Sequence, residues 1–245
     1  SLAKRMKFLQ SGFAGMDAPI LQDVLKIENV HIANASSVYA IPIAHYVFSQ
    51  ILRWNKRIDH HIEYQQSKNW APIAGDGELT NKTLVILGYG GIGSQVAKLG
   101  KAFGMRVTGI RRNPQDDEHA DEVLGLDRFE ELLPLTDYLV LSLPDSPQTR
   151  DIINADILEK LSNSAMIINV GRGTAINEED LSDALNGEKI AAAALDTTKV
   201  EPLDASSSLW TAKNCFISAH DSAHSLLSLE RAFELFFQNI KNIKN

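Results

Sequence analysis

Cysteine is nearly absent from the 245-residue sequence, in which Cys215 stands alone. A single cysteine cannot form an intramolecular disulfide, and no group of Cys and His residues has the spacing of a metal site, so neither a disulfide-bonded nor a zinc-binding protein is expected. Long apolar runs are missing as well, which predicts a chain that does not span a membrane. The basic residues near the start are not followed by the apolar region and small-residue cleavage site of a signal peptide, so we expect no export signal and a reducing, cytoplasmic setting.

Basic residues are in the minority, with 24 Lys+Arg against 31 Asp+Glu and a formal net charge of -7. A net acidic chain binds polyanions poorly, so no nucleic-acid partner is expected. The apolar share of 44% is ordinary for a globular protein with a substantial core. Because the sequence opens without a methionine and runs almost at once into an apolar stretch, we expect that an N-terminal part of the natural protein is missing.

Short apolar runs alternate with helical patterns from residue 82 onward. Such alternation is typical of a parallel sheet whose two faces are both covered by helices. The sequence therefore predicts an α/β fold with a doubly wound parallel sheet. Strands are predicted at residues 83–87, 105–110, 138–143, 165–170, 190–195 and 215–218, and helices at residues 92–103, 129–133, 157–161 and 178–185.

Three further segments lie outside this alternation. Residues 40–54 are predicted to form a helix because apolar side chains recur on one face. Pro42 would fall in the first turn of that helix, where its missing N–H costs little. Residues 65–81 are expected to form a loop, and residues 226–243 a closing helix.

Gly88, Gly90 and Gly93 stand at G-x-G-x-x-G spacing between the first predicted strand and the helix that follows it. In that position the first glycine permits a tight turn, the second lets the backbone approach a pyrophosphate, and the third lets the helix pack closely on the strand. The helix N-terminus, at Gly91 and Ile92, would then face the phosphate. The pattern predicts a dinucleotide site, against the alternative of a glycine-rich turn without a ligand.

The second predicted strand ends at Ile110 and is followed by Arg111 and Arg112. A protein that binds NAD usually has Asp or Glu at this position to accept a hydrogen bond from the ribose 2′-hydroxyl. Two guanidinium groups would instead bind a 2′-phosphate through charge-assisted hydrogen bonds, which favours NADP(H) and leaves NAD(H) possible. The alternative is a solvated basic turn that the acidic residues at 116–118 balance.

Four polar residues follow the later predicted strands. Arg172 lies between two glycines after the strand at 165–170, Asp196 and His220 come directly after the next two strands, and Glu201 lies shortly after Asp196. In an open α/β sheet the ligand lies outside the carboxyl ends of the strands. An arginine, a carboxylate and an imidazole that converge there could hold a carboxylate and exchange a proton. Taken singly, each also has a structural explanation, such as a surface arginine or a satisfied histidine.

These segments together resemble the D-isomer-specific 2-hydroxyacid dehydrogenase family, and the resemblance covers essentially the whole chain. It rests on Leu87-Gly-Tyr-Gly-Gly-Ile-Gly93, Ile168-Asn-Val-Gly-Arg-Gly173, Ala193-Ala-Leu-Asp196 with Glu201-Pro-Leu203, and Ile217-Ser-Ala-His220. The segment from Phe8 to Asp17 resembles the family's substrate loop.

The resemblance implies a role for each matching residue. Arg172 would bind the substrate carboxylate, His220 would give a proton to the 2-keto oxygen, and Glu201 would hold the imidazole. Gly12 and Phe13 would lie in the substrate loop, although Phe13 could equally be a core side chain. The resemblance also implies cofactor contacts from Leu143, Pro144, Thr149, Val170 and Asp196, the last of which would anchor the nicotinamide carboxamide.

The family's architecture implies three parts. Residues 37–223 would form a Rossmann cofactor domain, residues 1–36 part of a flavodoxin-like substrate domain, and residues 224–245 a C-terminal helix that returns to the substrate domain. The partner would be a small 2-keto or 2-hydroxy acid. The apolar helix at residues 40–54 needs a partner surface, so a homodimer is expected.

Two departures from the family's pattern and three alternatives accompany this interpretation. The family commonly has an acidic residue where His45 stands, and residues 221–224 are more polar than usual, so packing and the substrate pocket are expected to differ.

A formate dehydrogenase relative would pair the histidine with an amide, and Glu201 argues against it. A dinucleotide-sensing protein of the corepressor type, or a fragment that binds cofactor without catalysis, would bind the dinucleotide and turn nothing over.

Overall fold

The structure is a computed structural model that describes residues 6–16, 23, 25–73 and 77–244. Its centre is a seven-stranded parallel sheet in the order β5-β4-β3-β6-β7-β8-β9. The strands of this sheet are β3 Thr83–Leu87, β4 Arg106–Ile110, β5 Glu122–Leu124, β6 Tyr138–Leu141, β7 Met166–Asn169, β8 Ala192–Leu195 and β9 Cys215–Ile217. A separate pair of parallel strands, β1 Phe8–Gln10 and β2 His31–Ala33, precedes it in the chain.

Helices cover both faces of the sheet. In chain order the described helices are α1 Ser36–Asn55, α2 Ile58–Gln66, α3 Gly91–Ala102, α4 Phe129–Leu132, α5 Ala155–Lys160, α6 Glu178–Asn186 and α7 Ser228–Lys244. Short 3₁₀ turns follow several strands, including residues 173–175 and 208–211. No helix among the described residues is long and apolar enough to cross a membrane.

Alternate residues of each central strand enter two separate hydrophobic cores. In β3, Val85 and Leu87 pack with α5 and α6 on one face, whereas Leu84 and Ile86 pack with α1 and α3 on the other. Successive side chains of a strand point to opposite faces, so a strand that is apolar throughout must be covered twice. The predicted doubly wound parallel sheet is confirmed, and the predicted strands end within a few residues of the observed ones.

The structure corrects two expectations about the region before β3. The first helix begins at Ser36, so Pro42 lies inside it and not in its first turn. Residues 58–66 form α2, part of which was expected to be loop, and the rest of that expected loop includes residues 74–76, which lie outside the described residues. None of the residues in α2 is buried, and its two isoleucines, Ile58 and Ile62, are too few for a sequence pattern to identify the helix.

The last helix lies against the first strand. The rings of Phe8 and Phe236 are 6.1 Å apart, and Asn239 Nδ2 donates a hydrogen bond to Gln10 Oε1 at 2.8 Å. The chain therefore returns at its end to the small β1–β2 sheet. Because β1 also leads into residues 11–16, this packing supports the segment that faces the carboxyl edge of the large sheet.

A pair of leucines tests the importance of the core. Leu139 in β6 is completely buried, whereas Leu135, shortly before the same strand, is 72% exposed. We expect Leu139→Ala to lower the free energy of unfolding by about 2–5 kcal/mol, since it removes buried methyl groups and leaves a cavity. Leu135→Ala should change it by less than about 0.5 kcal/mol. Urea unfolding monitored by circular dichroism measures both, and equal losses would contradict this description of the core.

Candidate active site

A histidine and a glutamate form a close pair at the carboxyl edge of the sheet. His220 Nδ1 lies 2.8 Å from Glu201 Oε2, and Glu201 Oε1 accepts the backbone N–H of Thr198 at 3.2 Å. The His220 backbone has a φ of +54°, uncommon for a residue with a side chain, and its N–H is held by the carbonyl of Asp196 at 2.9 Å. Since the carboxylate occupies Nδ1, the ring presents Nε2 for other partners.

Arg172 occupies a turn that only glycine neighbours permit. A Cβ atom at Gly171 would lie 2.7 Å from the backbone nitrogen of Leu143, and one at Gly173 would overlap the backbone of Thr198. The turn after β7 therefore packs directly on the chain segments that follow β6 and β8. The Arg172 guanidinium donates a hydrogen bond to the carbonyl of Gly171 at 3.0 Å.

The pair and the arginine share one cleft of about 360 Å³. The three side chains come from segments after β7, β8 and β9, and the structure brings them together as the sequence predicted. Phe13 also lines this cleft and is 55% exposed, so it is not buried in the core of the described chain. Gly12, the other residue predicted in the substrate loop, faces open space, because a Cβ atom there would have no neighbour within 4 Å. The cleft is lined by Phe13, Gly15, Asp145, Arg172, Gly173, Thr174, Thr198, Lys199, Glu201 and His220.

Asp145 adds a fixed negative charge that the sequence analysis did not identify. Its carboxylate accepts two hydrogen bonds from Arg150, each at 2.9 Å, and one from the Thr174 hydroxyl at 2.9 Å. These bonds lower the pKa of Asp145 to about 2, and the nearby charge of Arg172 acts in the same direction. The cleft is therefore lined by both anionic and cationic side chains.

Six of the lining residues, Gly173 beside Arg172 among them, were not predicted as site residues, although the sequence held a weak signal for each of them. Thr174 lies in the same turn as the predicted arginine, and Thr198 and Lys199 lie between the predicted Asp196 and Glu201. Asp145 follows a proline just beyond the end of β6, a position at which polar residues face ligands in open α/β sheets. Gly15 lies in the segment that resembles the family's substrate loop, two residues after the predicted Phe13.

The glycine turn between β3 and α3 has the shape that a pyrophosphate requires. Gly88 has a φ of +103°, and a Cβ atom there would lie 2.8 Å from the backbone of Ser142. Gly93 packs against the carbonyl of Gly88, whereas a Cβ atom at Gly90 would find nothing within 4 Å. α3 begins at Gly91 without a side-chain cap, and the N–H groups of Gly91, Ile92 and Gly93 find no acceptor among the described residues. Open space in front of unpaired N–H groups fits an anionic ligand.

The two arginines after β4 are available to a ligand. Arg111 is held through its backbone N–H to the carbonyl of Leu124 at 3.0 Å, and Arg112 is exposed. Within the described part of the chain, neither guanidinium forms a salt bridge. Asp117 is directed instead to the hydroxyl of Ser94 at 3.4 Å and the backbone N–H of His119 at 2.9 Å. The acidic residues at 116–118 form no salt bridge with either arginine among the described residues, so the arginines remain open both to solvent and to a ligand.

The other predicted cofactor residues lie along the same edge. Leu143 and Pro144 follow β6, and the Thr149 hydroxyl donates to the carbonyl of Pro144 at 2.7 Å, so it holds that loop in place. Val170 directly follows β7 and is buried in the core that α1 and α3 cover. Asp196 directly follows β8 and is 1% exposed. All of the predicted residues thus lie at the carboxyl ends of β3, β4, β6, β7 and β8 or in the loops that follow them.

Comparison with known proteins identifies relatives of this arrangement. A family model described as "D-isomer specific 2-hydroxyacid dehydrogenase, NAD binding domain" matches residues 48–222. A hydroxypyruvate reductase of Blautia hydrogenotrophica is 30% identical over 228 residues, which cover 88% of this chain and 69% of the relative.

Solved structures agree. A D-isomer specific 2-hydroxyacid dehydrogenase family protein from Aeromonas salmonicida is 33% identical and superimposes with a TM-score of 0.86, covering 99% of this chain and 77% of its own. An NADPH-dependent glyoxylate/hydroxypyruvate reductase from Sinorhizobium meliloti, solved with NADP and sulfate, is 26% identical with a TM-score of 0.82, covering 97% and 75%.

Two glycine substitutions separate folding from ligand binding at the turn after β3. Gly88→Ala should lower the melting temperature, because its φ is positive and its Cβ would collide with backbone. Gly90→Ala should leave the melting temperature unchanged and weaken dinucleotide binding roughly tenfold or more, because the methyl group fills the space in front of α3. Thermal unfolding and fluorescence titration with NADPH measure the two effects. Unchanged NADPH affinity in Gly90→Ala would contradict a phosphate site at this turn.

Proposed function

Because the chain belongs to the D-isomer-specific 2-hydroxyacid dehydrogenase family, we propose that it reduces a small 2-keto acid to the D-2-hydroxy acid with NADPH. The predicted family and the enzyme class, an NAD(P)-dependent 2-hydroxyacid dehydrogenase, are thereby confirmed. Glyoxylate and hydroxypyruvate are the substrates that we propose to test first. Relatives that share this fold are named for them.

The observation that carries the proposal is the meeting of Arg172, Glu201 and His220 in one cleft. The planar guanidinium of Arg172 suits a carboxylate, which it can bind with two parallel hydrogen bonds. Glu201 accepts from Nδ1 and so orients the imidazole, which leaves Nε2 to donate a proton to the 2-keto oxygen. In the reverse direction the same nitrogen removes the proton from the 2-hydroxyl group.

Reduced nicotinamide supplies the hydride in this class of enzyme when the cofactor is bound. The residues that would hold the cofactor are the glycine turn with the N-terminus of α3, the loop residues Leu143, Pro144 and Thr149, and Val170 and Asp196. The unpaired N–H groups of α3 would bind the pyrophosphate. The residues along this edge of the sheet would thus position the cofactor and bind its charged groups.

The preference for NADP(H) over NAD(H) rests on Arg111 and Arg112. Neither forms a salt bridge with another described residue, and both follow the strand at which the ribose 2′ position is recognised. Free guanidinium groups attract a 2′-phosphate and offer no acceptor to a 2′-hydroxyl. Solved relatives that bind NADP or NADPH support the same preference.

The cleft favours a short, polar substrate. Most of the described residues that line it carry a hydroxyl or an ionisable group, and Phe13 is the one large apolar residue among them. The backbone around Gly12 and Phe13 would contribute amides to the substrate carboxylate, although the Phe13 N–H also donates to Ser11 Oγ at 3.1 Å. These features are better suited to glyoxylate or hydroxypyruvate than to a branched or aromatic keto acid.

We also propose the organisation of the whole molecule. The cofactor domain would comprise residues 37–223, and the substrate domain would take residues 1–36 together with the helix at residues 224–245. The packing of α7 on β1 supports that division. A homodimer in the cytoplasm is proposed as well. Exposed Ile58 and Ile62 on α2 support the dimer, and the single cysteine supports a reducing compartment.

Replacement of the histidine tests the chemistry. We expect the protein to oxidise NADPH with glyoxylate or hydroxypyruvate, and His220→Ala to lower kcat by about 100-fold or more, because the proton donor is lost. NADPH affinity should stay unchanged, since the imidazole does not touch the pyrophosphate turn. His60→Ala, on the exposed face of α2, is the matched control. Binding of NADPH by the wild type without turnover of any 2-keto acid would favour a dinucleotide sensor over an enzyme.

Replacement of the two arginines tests the cofactor preference. Arg111→Ala and Arg112→Ala should each weaken NADPH binding by about 10- to 100-fold, because each removes charge-assisted hydrogen bonds to the 2′-phosphate. NADH affinity should change little. Arg128→Ala, which removes an exposed guanidinium paired with Glu131, is the control. Equal losses of NADPH and NADH affinity, read by fluorescence titration, would contradict recognition of the phosphate.

A further inference from the structure

Asp196 is a buried carboxylate with no cationic partner among the described residues. Its Oδ1 accepts the hydroxyl of Ser218 at 2.7 Å and the backbone N–H groups of Asp221 at 3.1 Å and Ser222 at 3.2 Å. Its Oδ2 accepts only the second, shared contact from Ser222, also at 3.2 Å. A carboxylate oxygen accepts about two strong hydrogen bonds, so Oδ1 is saturated and Oδ2 keeps an unused acceptor site.

The Ser218 hydroxyl is in turn held from outside the sheet. The hydroxyl of Tyr46, on α1, lies 2.6 Å from Ser218 Oγ. A carboxylate only accepts, so the Ser218 proton must point to Asp196, and its oxygen must accept from Tyr46. Burial raises the pKa of Tyr46 to about 12, which keeps the phenol protonated and able to donate. The two hydrogen bonds therefore run in one direction: Tyr46 donates to Ser218, and Ser218 donates to Asp196.

The same carboxylate is coupled to the candidate proton donor. The backbone carbonyl of Asp196 accepts the N–H of His220 at 2.9 Å, while its side chain binds the two residues that follow His220. A rotation of the Asp196 side chain would release the turn that carries the imidazole. The position of Oδ2, with its one unused acceptor site, and the position of the imidazole are thus fixed relative to one another by these hydrogen bonds.

We propose that Tyr46 and Ser218 are positioning residues for the nicotinamide end of the cofactor. They fix the orientation of the Asp196 carboxylate. All acceptor sites of Oδ1 are then occupied by hydrogen bonds from the protein, and Oδ2 can accept a hydrogen bond from the carboxamide N–H group. This inference rests on the proposed function, since it requires a nicotinamide dinucleotide in the site. It assigns to α1, outside the sheet, a part in placing the reacting ring beside His220.

Binding measurements with two ligands test this role. NADPH carries the nicotinamide, whereas 2′,5′-ADP carries the adenosine end and the 2′-phosphate alone. Tyr46→Phe and Ser218→Ala should weaken NADPH binding by about 5- to 10-fold, the effect of losing one hydrogen bond to a charged network, and should leave 2′,5′-ADP affinity unchanged. Ser218→Thr keeps the hydroxyl and should restore wild-type NADPH affinity.

Further readouts separate positioning from a general structural effect. The double variant Tyr46→Phe/Ser218→Ala should lose no more NADPH affinity than Ser218→Ala alone, because both act through one carboxylate. Equal losses for NADPH and 2′,5′-ADP, no loss for either, or failure of Ser218→Thr to restore binding would overturn the inference. If the wild type binds 2′,5′-ADP and not NADPH, the proposed function itself fails.

Discussion

Parallel pairing of β7, β8 and β9 is the constraint on which the candidate site depends. The register places Asn169 beside Leu195 and Leu195 beside Ile217, so the three strands end level with one another. Every segment that leaves these strands emerges at one edge of the sheet. Arg172, Asp196 and His220 meet there for that reason, although the sequence separates them widely.

Close approach of backbone turns this shared edge into a cleft. The turn around Arg172 presses on the segments after β6 and β8, which is possible because side chains are absent at Gly171 and Gly173. Thr198, part of the segment so contacted, supplies the N–H that holds one oxygen of Glu201. The second oxygen is then directed to His220. The close packing of Gly173 on Thr198 after β8 therefore helps to orient the His220 imidazole after β9.

The elements that could be predicted were those with a strong local cause. Runs such as Thr83–Leu87 are apolar throughout because both faces of the strand are covered, and that pattern is visible without a structure. α2 and β5 were missed because neither has a distinctive pattern: α2 buries no residue, and β5 is three residues long. The start of the first helix was predicted too late, at residue 40 with Pro42 in the first turn. The helix starts at Ser36 and contains the proline in its interior.

The sequence by itself determined the fold class, the glycine turn and the chemical types of the site residues, since these follow from periodicity and from residues adjacent in the chain. Only the tertiary structure decided which groups touch. The contacts of Asp145 with Thr174, and of Tyr46 with Ser218, join residues far apart in the chain, and no local pattern encodes such pairs. The structure also showed that neither Arg111 nor Arg112 forms a salt bridge within the described part of the chain. The sequence could not decide this, because whether a side chain is paired depends on every segment packed around it.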